Sequence, residues 1–291
     1  MQRRFFGSSG LRVSPVGLGA GHIGRSDDQR EAAALLHFAL DHGVNFIDTA
    51  RGYGKSEERI GEAIASRRDE YVLSTKVGYD IPGADDWSYE AVSKGVDRAL
   101  RTLQTDVIDV VFLHSCELEI LERGDVISAL IDAKEAGKIR VAGYSGENEE
   151  LRWAVDSGHF DAIQTSVNLV DQSSAVNVLP DAHAKELGVV AKRPLANFAW
   201  KYYARPDGEY AEIYWDRLKE LGLEPANGDW LQTAMRFTVH TPGVTTAIVG
   251  TRSAGHLDAA IIATEKGPLP PDERAAWIDA FATHPDWRGE I

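Results

Sequence analysis

The chain has 291 residues, of which 43% are hydrophobic, so it can bury the core of one barrel domain of about 250 residues with insertions. Its formal net charge of −14 disfavours nucleic acid and anionic membranes as partners, and no apolar run approaches the roughly 20 residues that would span a bilayer. The single cysteine, Cys116, excludes an intrachain disulfide; we interpret the protein as soluble and cytoplasmic, and Cys116 as structural.

Strand-like and helix-like segments alternate along the chain, which is typical of a parallel β/α fold. Residues 3–13 read as a hairpin, which we expect to plug the amino-terminal mouth of a barrel. The first predicted helix follows the potential caps Ser26, Asp27 and Asp28. The eight predicted strands are residues 15–19, 44–48, 71–76, 107–114, 138–145, 162–165, 188–193 and 245–250. We therefore expect a single domain, residues 1–291, folded as a (β/α)8 TIM barrel.

A long connection, residues 196–228, follows the seventh predicted strand and is rich in aromatic side chains. Long connections in compact domains often act as lids over a functional site. An additional surface helix with its own aromatic cluster would explain the same composition, and the sequence leaves both interpretations open.

The glycine motif GAGHIG at residues 19–24 follows the first predicted strand and resembles the dinucleotide-binding fingerprint GxGxxG. In a doubly wound fold the helix would begin within the glycines, so that its amino terminus meets the pyrophosphate. Here the helix caps come only at residues 26–28, after the motif. That fold would also leave the charged residues at the later strand ends unexplained, so we favour the barrel.

Three consecutive predicted strands end on residues that can carry charge, namely Asp48, Lys76 and His114. In a parallel barrel the carboxyl ends of the strands meet at one face, so these side chains should converge there. Tyr53 follows Asp48 in the loop above that face. An acid, a phenol, a lysine and a histidine in one place indicate proton-transfer chemistry.

The segment DTARGYGKSE, which begins at Asp48, closely resembles the signature of the aldo-keto reductase family. Three further parts of the chain resemble the family in the same order: GLRVSPVGLG at residues 10–19, the LSTK and LH segments that end at Lys76 and His114, and GTRS at residues 250–253. The resemblance implies an NAD(P)(H)-dependent oxidoreductase that reduces an aldehyde or ketone, or oxidises the corresponding alcohol or sugar.

The resemblance assigns a role to each of the four residues. A nicotinamide cofactor would deliver hydride to the carbonyl carbon, and Tyr53 would donate the proton to the forming alkoxide. A free tyrosine has a pKa of about 10, and a nearby lysine cation, here Lys76, favours the phenolate. Asp48 would hold Lys76 by a charge-assisted hydrogen bond, and His114 would orient the carbonyl.

The resemblance also implies a set of cofactor-binding residues, with no metal. They are Gly19, Gly21, Asp48, Ser145, Gln164, Lys192, Arg193, Leu195, Gly250, Arg252 and His256. The family holds the nicotinamide carboxamide with a Ser-Asn pair and a Gln, but here Gly146 stands in place of the Asn. Asn168 is a candidate substitute for it.

Two other segments depart from the family pattern. Many members stack an aromatic ring on the nicotinamide after the seventh strand, where this chain has Lys192 and Arg193, which would stack or neutralise pyrophosphate. His256 stands where members that prefer the 2′-phosphorylated cofactor often have Arg, and alanines at 259 and 260 replace a Glu-Asn pair. Arg252 remains able to bind the 2′-phosphate, so we predict NADP(H) over NAD(H).

The substrate pocket is predicted to have an apolar, aromatic wall formed by His22, Tyr79, Trp87 and Trp200. Such a wall suits aldehydes, ketones or sugar carbonyls without choosing among them. The aromatic residues near the end of the chain fit an outer helix packed on the barrel better than a pocket lid. Two alternatives are a cofactor-binding regulatory subunit with only residual reductase activity and a cofactor-free barrel isomerase.

Overall fold

The computed structural model describes residues 1–25 and 28–290, and these residues form a hairpin followed by a closed barrel of eight parallel strands. The hairpin pairs β1 (Arg4–Phe5) with β2 (Arg12–Val13) in antiparallel register. The barrel strands are β3 (Val16–Gly19), β4 (Phe46–Asp48), β5 (Val72–Val77), β6 (Ile108–His114), β7 (Ile139–Ser145), β8 (Ala162–Ser166), β9 (Gly188–Lys192) and β10 (Thr246–Gly250). β10 pairs with both β9 and β3, which closes the barrel. The predicted (β/α)8 architecture is confirmed.

The hairpin is anchored by Phe6, which is fully buried. Its ring lies 5.7 Å from that of Phe46 at the start of β4, within an inner cluster of side chains from the barrel strands. A Cβ built at Gly188, where β9 begins, would lie 2.5 Å from the Phe6 ring. Phe6 therefore fills the interior at the amino ends of the strands, as a plug would.

The helices surround the barrel and bury one face against it. They are α1 (Gln29–Asp41), α2 (Ser56–Ile64), α3 (Tyr89–Thr102), α4 (Leu118–Arg123), α5 (Asp125–Glu135), α6 (Asn148–Ser157), α7 (Ser173–Asn177), α8 (Leu179–Ala184), α9 (Glu212–Leu221), α10 (Trp230–Val239), α11 (Ala254–Glu265) and α12 (Pro271–Ala282). Within the described part of the chain, none of them has the length and apolar character needed to cross a membrane.

The first helix begins after Asp28, whose carboxylate accepts a hydrogen bond from the backbone N–H of Arg30. The other two predicted caps, Ser26 and Asp27, lie outside the described residues. The helix starts at Gln29, beyond the glycine motif at residues 19–24, as the barrel interpretation requires. One face of this helix, with Ala32, Leu35, Leu36 and Ala39, is buried.

The connection at residues 196–228 contains a 3-10 helix, Ala196–Lys201, and then α9. The indole of Trp200 stacks on that of Trp230, with ring centroids 5.5 Å apart and planes within 9°. Trp230 in turn meets the edge of Trp277 on α12. The segment thus has the additional helix and the aromatic cluster of the second interpretation.

Candidate active site

A buried ion pair lies at the carboxyl ends of β4 and β5. The ammonium of Lys76 donates hydrogen bonds to Oδ2 of Asp48 at 2.6 Å and to the carbonyl of Thr49 at 2.9 Å. Both charged side chains are about 1% exposed. The other carboxylate oxygen of Asp48 accepts hydrogen bonds from Ser74 and Gln164. Because every partner of the carboxylate is fixed by a strand, the ammonium is held in one position.

Tyr53 lies next to this pair, in the loop between β4 and α2. The ammonium of Lys76 is 4.8 Å from the centroid of the Tyr53 ring. Burial disfavours the charge on Lys76, but the attraction of Asp48 and Tyr53 outweighs it, so the pKa of Lys76 is raised. Lys76 is therefore a cation at neutral pH, directly beside the phenol.

The glycine motif at residues 19–24 has its explanation in the position of Tyr53. A Cβ added at Gly24 would overlap the carbonyl oxygen of Tyr53, and the carbonyl of Gly24 accepts a hydrogen bond from the N–H of Lys55. A Cβ added at Gly21 would touch the Tyr53 ring at 3.4 Å. These glycines let the Tyr53 loop pass directly over the loop after β3.

His114, the last residue of β6, completes the group of four. Its ring meets that of Tyr53 edge-on, with centroids 5.9 Å apart, and its Nδ1 lies 2.8 Å from the hydroxyl of Tyr79. Burial, and then the charges of Lys76 and Lys192, lower the pKa of His114 to about 3. At neutral pH this side chain is therefore an uncharged imidazole with a single ring N–H.

Two of the residues predicted to form the aromatic wall, Tyr79 and Trp87, lie beside His114. Tyr79 stacks on His114, with centroids 5.6 Å apart, and Trp87 meets Tyr79 edge-on at the same distance. Trp200 stacks on Trp230 in the aromatic cluster described above. His22 lies beside Gly250 and its pKa is lowered by burial and by nearby arginines, including Arg252. The structure thus places His22 with the predicted phosphate segment.

The residues predicted to hold the carboxamide are linked to the ion pair. The hydroxyl of Ser145 donates to Oε1 of Gln164 at 3.0 Å, and the amide of Gln164 donates to Asp48 at 3.1 Å. The Tyr144 ring explains why Gly146 stands in place of the family's Asn. A Cβ at position 146 would lie 2.5 Å from that ring. Asn168 is engaged elsewhere, since its side chain bonds the backbone of Val170 and Arg193.

Two cations at the end of β9, Lys192 in the strand and Arg193 just after it, already have protein partners. Lys192 pairs with the buried carboxylate of Glu147 at 3.1 Å. Arg193 donates to the carbonyl of Glu290 and lies 3.5 Å from the hydroxyl of Ser166. Leu195, just before the 3-10 helix, is 5% exposed. These contacts fix the directions of both charged side chains.

The predicted phosphate segment lies between β10 and α11. The hydroxyl of Ser253 caps the helix by accepting the N–H of His256 at 3.4 Å, and Arg252 is exposed next to it. Gly19 packs on Gly250: a Cβ added at Gly19 would lie 3.5 Å from the Cα of Gly250. A helix amino terminus with an arginine and a histidine beside it has the donor chemistry that a phosphate group needs.

Sequence reasoning missed the role of the chain's last residues. Arg217 on α9 donates to the carbonyl of Arg288 and to the carboxylate of Glu290. Asn148 bonds both the N–H and the carbonyl of Gly289. Asp171 accepts the N–H of Glu290; burial, and then the charge of a neighbouring glutamate, raise the pKa of Asp171 to about 7. No sequence motif predicts these contacts, because they join residues at least 71 positions apart.

Comparison with known proteins places these features in a family. The family model for the aldo/keto reductase family matches residues 15–281. The chain is 32% identical to an L-galactose dehydrogenase of Arabidopsis thaliana over 213 residues, which is 67% of this chain and 66% of that protein, just under two thirds. It is 27% identical to the aldo-keto reductase YhdN of Bacillus subtilis over 292 residues, covering 89% of this chain and 87% of that one.

A solved structure, the aldo-keto reductase AKR11C1 from Bacillus halodurans in its holo form, superposes with a TM-score of 0.85. It is 27% identical, and the match covers 96% of each chain. The closed barrel, the four residues at its carboxyl-terminal face and the match of the family model over residues 15–281 agree, and the chain belongs to the aldo/keto reductase family.

Proposed function

We propose that this protein, acting as one domain, reduces an aldehyde or ketone with a nicotinamide cofactor and that Tyr53 supplies the proton. The arrangement of Asp48, Lys76 and Tyr53 carries the proposal, because a buried cation next to a phenol has a clear chemical use. A cation at this place stabilises negative charge on the phenol oxygen after the proton has left.

The proposed reaction adds one hydride and one proton to the carbonyl group, and each has a source in the site. A nicotinamide bound in the site would supply the hydride to the carbonyl carbon. The carbonyl oxygen gains the proton of the Tyr53 hydroxyl, and the resulting phenolate lies beside the Lys76 ammonium. Asp48 keeps the ammonium charged and in place, and uncharged His114 positions the carbonyl oxygen by a hydrogen bond.

The cofactor would be held by residues from several strands. Ser145 and Gln164 offer hydrogen bonds for a carboxamide, and Gln164 is already coupled to Asp48. Arg252 and the amino terminus of α11 suit a phosphate, and exposed Arg252 favours NADP(H) over NAD(H) because a guanidinium binds phosphate oxygens in pairs.

The test is the loss of NADPH absorbance with a reactive aromatic aldehyde. We compare the wild type with Tyr53→Phe and with Tyr203→Phe, a matched control because Tyr203 is fully exposed. Turnover should fall by at least about 100-fold in Tyr53→Phe, with NADPH binding retained, and should not change in the control.

The other outcomes separate the alternatives. A wild type that binds NADPH but turns over a panel of carbonyls no faster than Tyr53→Phe would contradict the reductase proposal and favour a regulatory subunit. A wild type that binds neither NADPH nor NADH would contradict the cofactor assignment and favour a cofactor-free isomerase.

A further inference from the structure

The hydrogen bond between Tyr79 and His114 has a direction that determines what His114 can do. The Tyr79 oxygen and Nδ1 of His114 are 2.8 Å apart. If the phenol donates, Nδ1 accepts and the ring proton is on Nε2. If Nδ1 donates, Nε2 has a lone pair and would repel a carbonyl oxygen.

We propose that Tyr79 is a positioning residue: its hydroxyl donates to Nδ1 of His114 and thereby fixes the tautomer with the proton on Nε2. This inference rests on the proposed function in one respect only, namely that the Nε2–H group of His114 donates a hydrogen bond to the substrate's carbonyl oxygen. The tautomer itself is a property of the protein and can be measured without any reaction.

The packing around Tyr79 keeps its hydroxyl directed at the imidazole. The two rings stack with planes 29° apart, and Trp87 supports Tyr79 from its edge. A Cβ added at Gly52 would lie 2.7 Å from the Tyr79 oxygen, so the loop that carries Tyr53 closes on this hydroxyl. The phenol is therefore confined next to His114, with little freedom to turn away.

The surrounding charges determine the protonation of both partners. His114 is uncharged at neutral pH because burial and two lysines oppose the imidazolium. Burial, and then Tyr53, raise the pKa of Tyr79 against the opposing effect of Lys76, so its hydroxyl keeps the proton. A phenol is the better donor and an imidazole nitrogen the better acceptor, which favours the phenol donating.

The first test is nitrogen NMR of histidine-labelled protein, with the His114 signals assigned by their loss in His114→Asn. The wild type should show a protonated Nε2 and an unprotonated, hydrogen-bonded Nδ1 for His114 from pH 5 to 8. Tyr79→Phe should shift these signals towards a mixture of tautomers, whereas Tyr203→Phe should not. A wild type with the proton on Nδ1, or signals unaffected by Tyr79→Phe, would overturn the proposal.

The second test is a double-mutant cycle on carbonyl reduction. Tyr79→Phe should lower kcat about tenfold in the wild type, as expected for one hydrogen bond of ordinary strength. In a His114→Asn background the same change should have less than about a twofold effect, because the tautomer no longer matters. Equal effects in both backgrounds would refute a role through His114. If the wild type reduces no carbonyl, the proposed function fails, while the NMR result still decides the tautomer.

Discussion

Lys76 and Asp48 form an ion pair of 2.6 Å with both side chains about 1% exposed, 28 positions apart in the chain. Such a pair is expensive to break, because the remaining charge is left buried without a partner. Asp48→Asn should therefore lower the free energy of unfolding by about 3–5 kcal/mol and reduce carbonyl turnover at least about 100-fold.

The matched control is Asp97→Asn, which breaks a 2.6 Å pair with Lys138 whose side chains are about 40% exposed. That change should alter stability by less than about 1 kcal/mol, measured by urea unfolding. Comparable losses in the two variants would contradict the importance of burial at Asp48.

Gly24→Ala tests whether the glycine motif positions Tyr53. The new methyl group would overlap the carbonyl oxygen of Tyr53, so the loop must move. We expect kcat to fall at least about tenfold, because small displacements of a reacting group are costly, while the affinity for NADPH changes little. Stopped-flow kinetics and cofactor titration measure the two quantities. Unchanged turnover would mean that the loop position is not needed.

Arg252→Ala tests the cofactor preference. Arg252 is the exposed guanidinium next to the amino terminus of α11, so its loss should weaken NADPH binding at least about tenfold and NADH binding much less. Fluorescence titration of both cofactors measures this, with Arg101→Ala on the exposed side of α3 as the control. Equal, small effects on both cofactors would remove the NADP assignment.

Arg217→Met tests the anchoring of the chain's last residues. The guanidinium of Arg217 is nearly buried and bonds the carbonyls of Val170 and Arg288 as well as the carboxylate of Glu290. Its removal should cost about 2–4 kcal/mol of unfolding free energy, because these acceptors lose a charged donor.

Arg205→Met is the matched control for this change, since Arg205 is 43% exposed in its ion pairs. It should cost less than about 1 kcal/mol in the same urea titration. If Arg217→Met lost no more unfolding free energy than Arg205→Met, the contacts of the chain's last residues would contribute little to stability.

His114→Gln tests the low pKa of His114. In the folded protein the pKa of His114 is about 3, below its ordinary value of 6.5. Between these two pH values, residue 114 binds a proton in the unfolded chain but not in the folded one. Stability should therefore fall as the pH drops below 6.5, by up to about 1.4 kcal/mol per pH unit from this residue.

The His114→Gln variant should lose the part of the fall in stability with decreasing pH that comes from His114. Urea titrations between pH 7 and 4 provide the measurement, and the wild type should show the steeper decline. The other histidines are the same in both proteins, so their contributions cancel. Parallel declines would mean that His114 is protonated in the folded protein.

The sequence by itself determined the barrel and the residues of its ion pair. Alternating strand and helix patterns predict a parallel barrel, and closure of such a barrel brings the strand ends with Asp48, Lys76 and His114 to one face. The helix cap at Asp28 correctly placed the first helix beyond the glycine motif. These inferences depend on local pattern and on a geometry that all such barrels share.

Only the tertiary structure decided where individual side chains point. Arg193 is directed at the carbonyl of Glu290, 97 positions away, and His22 lies beside Gly250 in the predicted phosphate segment. The hydrogen bond between Tyr79 and His114 likewise joins the loop after β5 to the end of β6. Side-chain direction depends on packing between distant segments, and no local pattern in the sequence encodes those contacts.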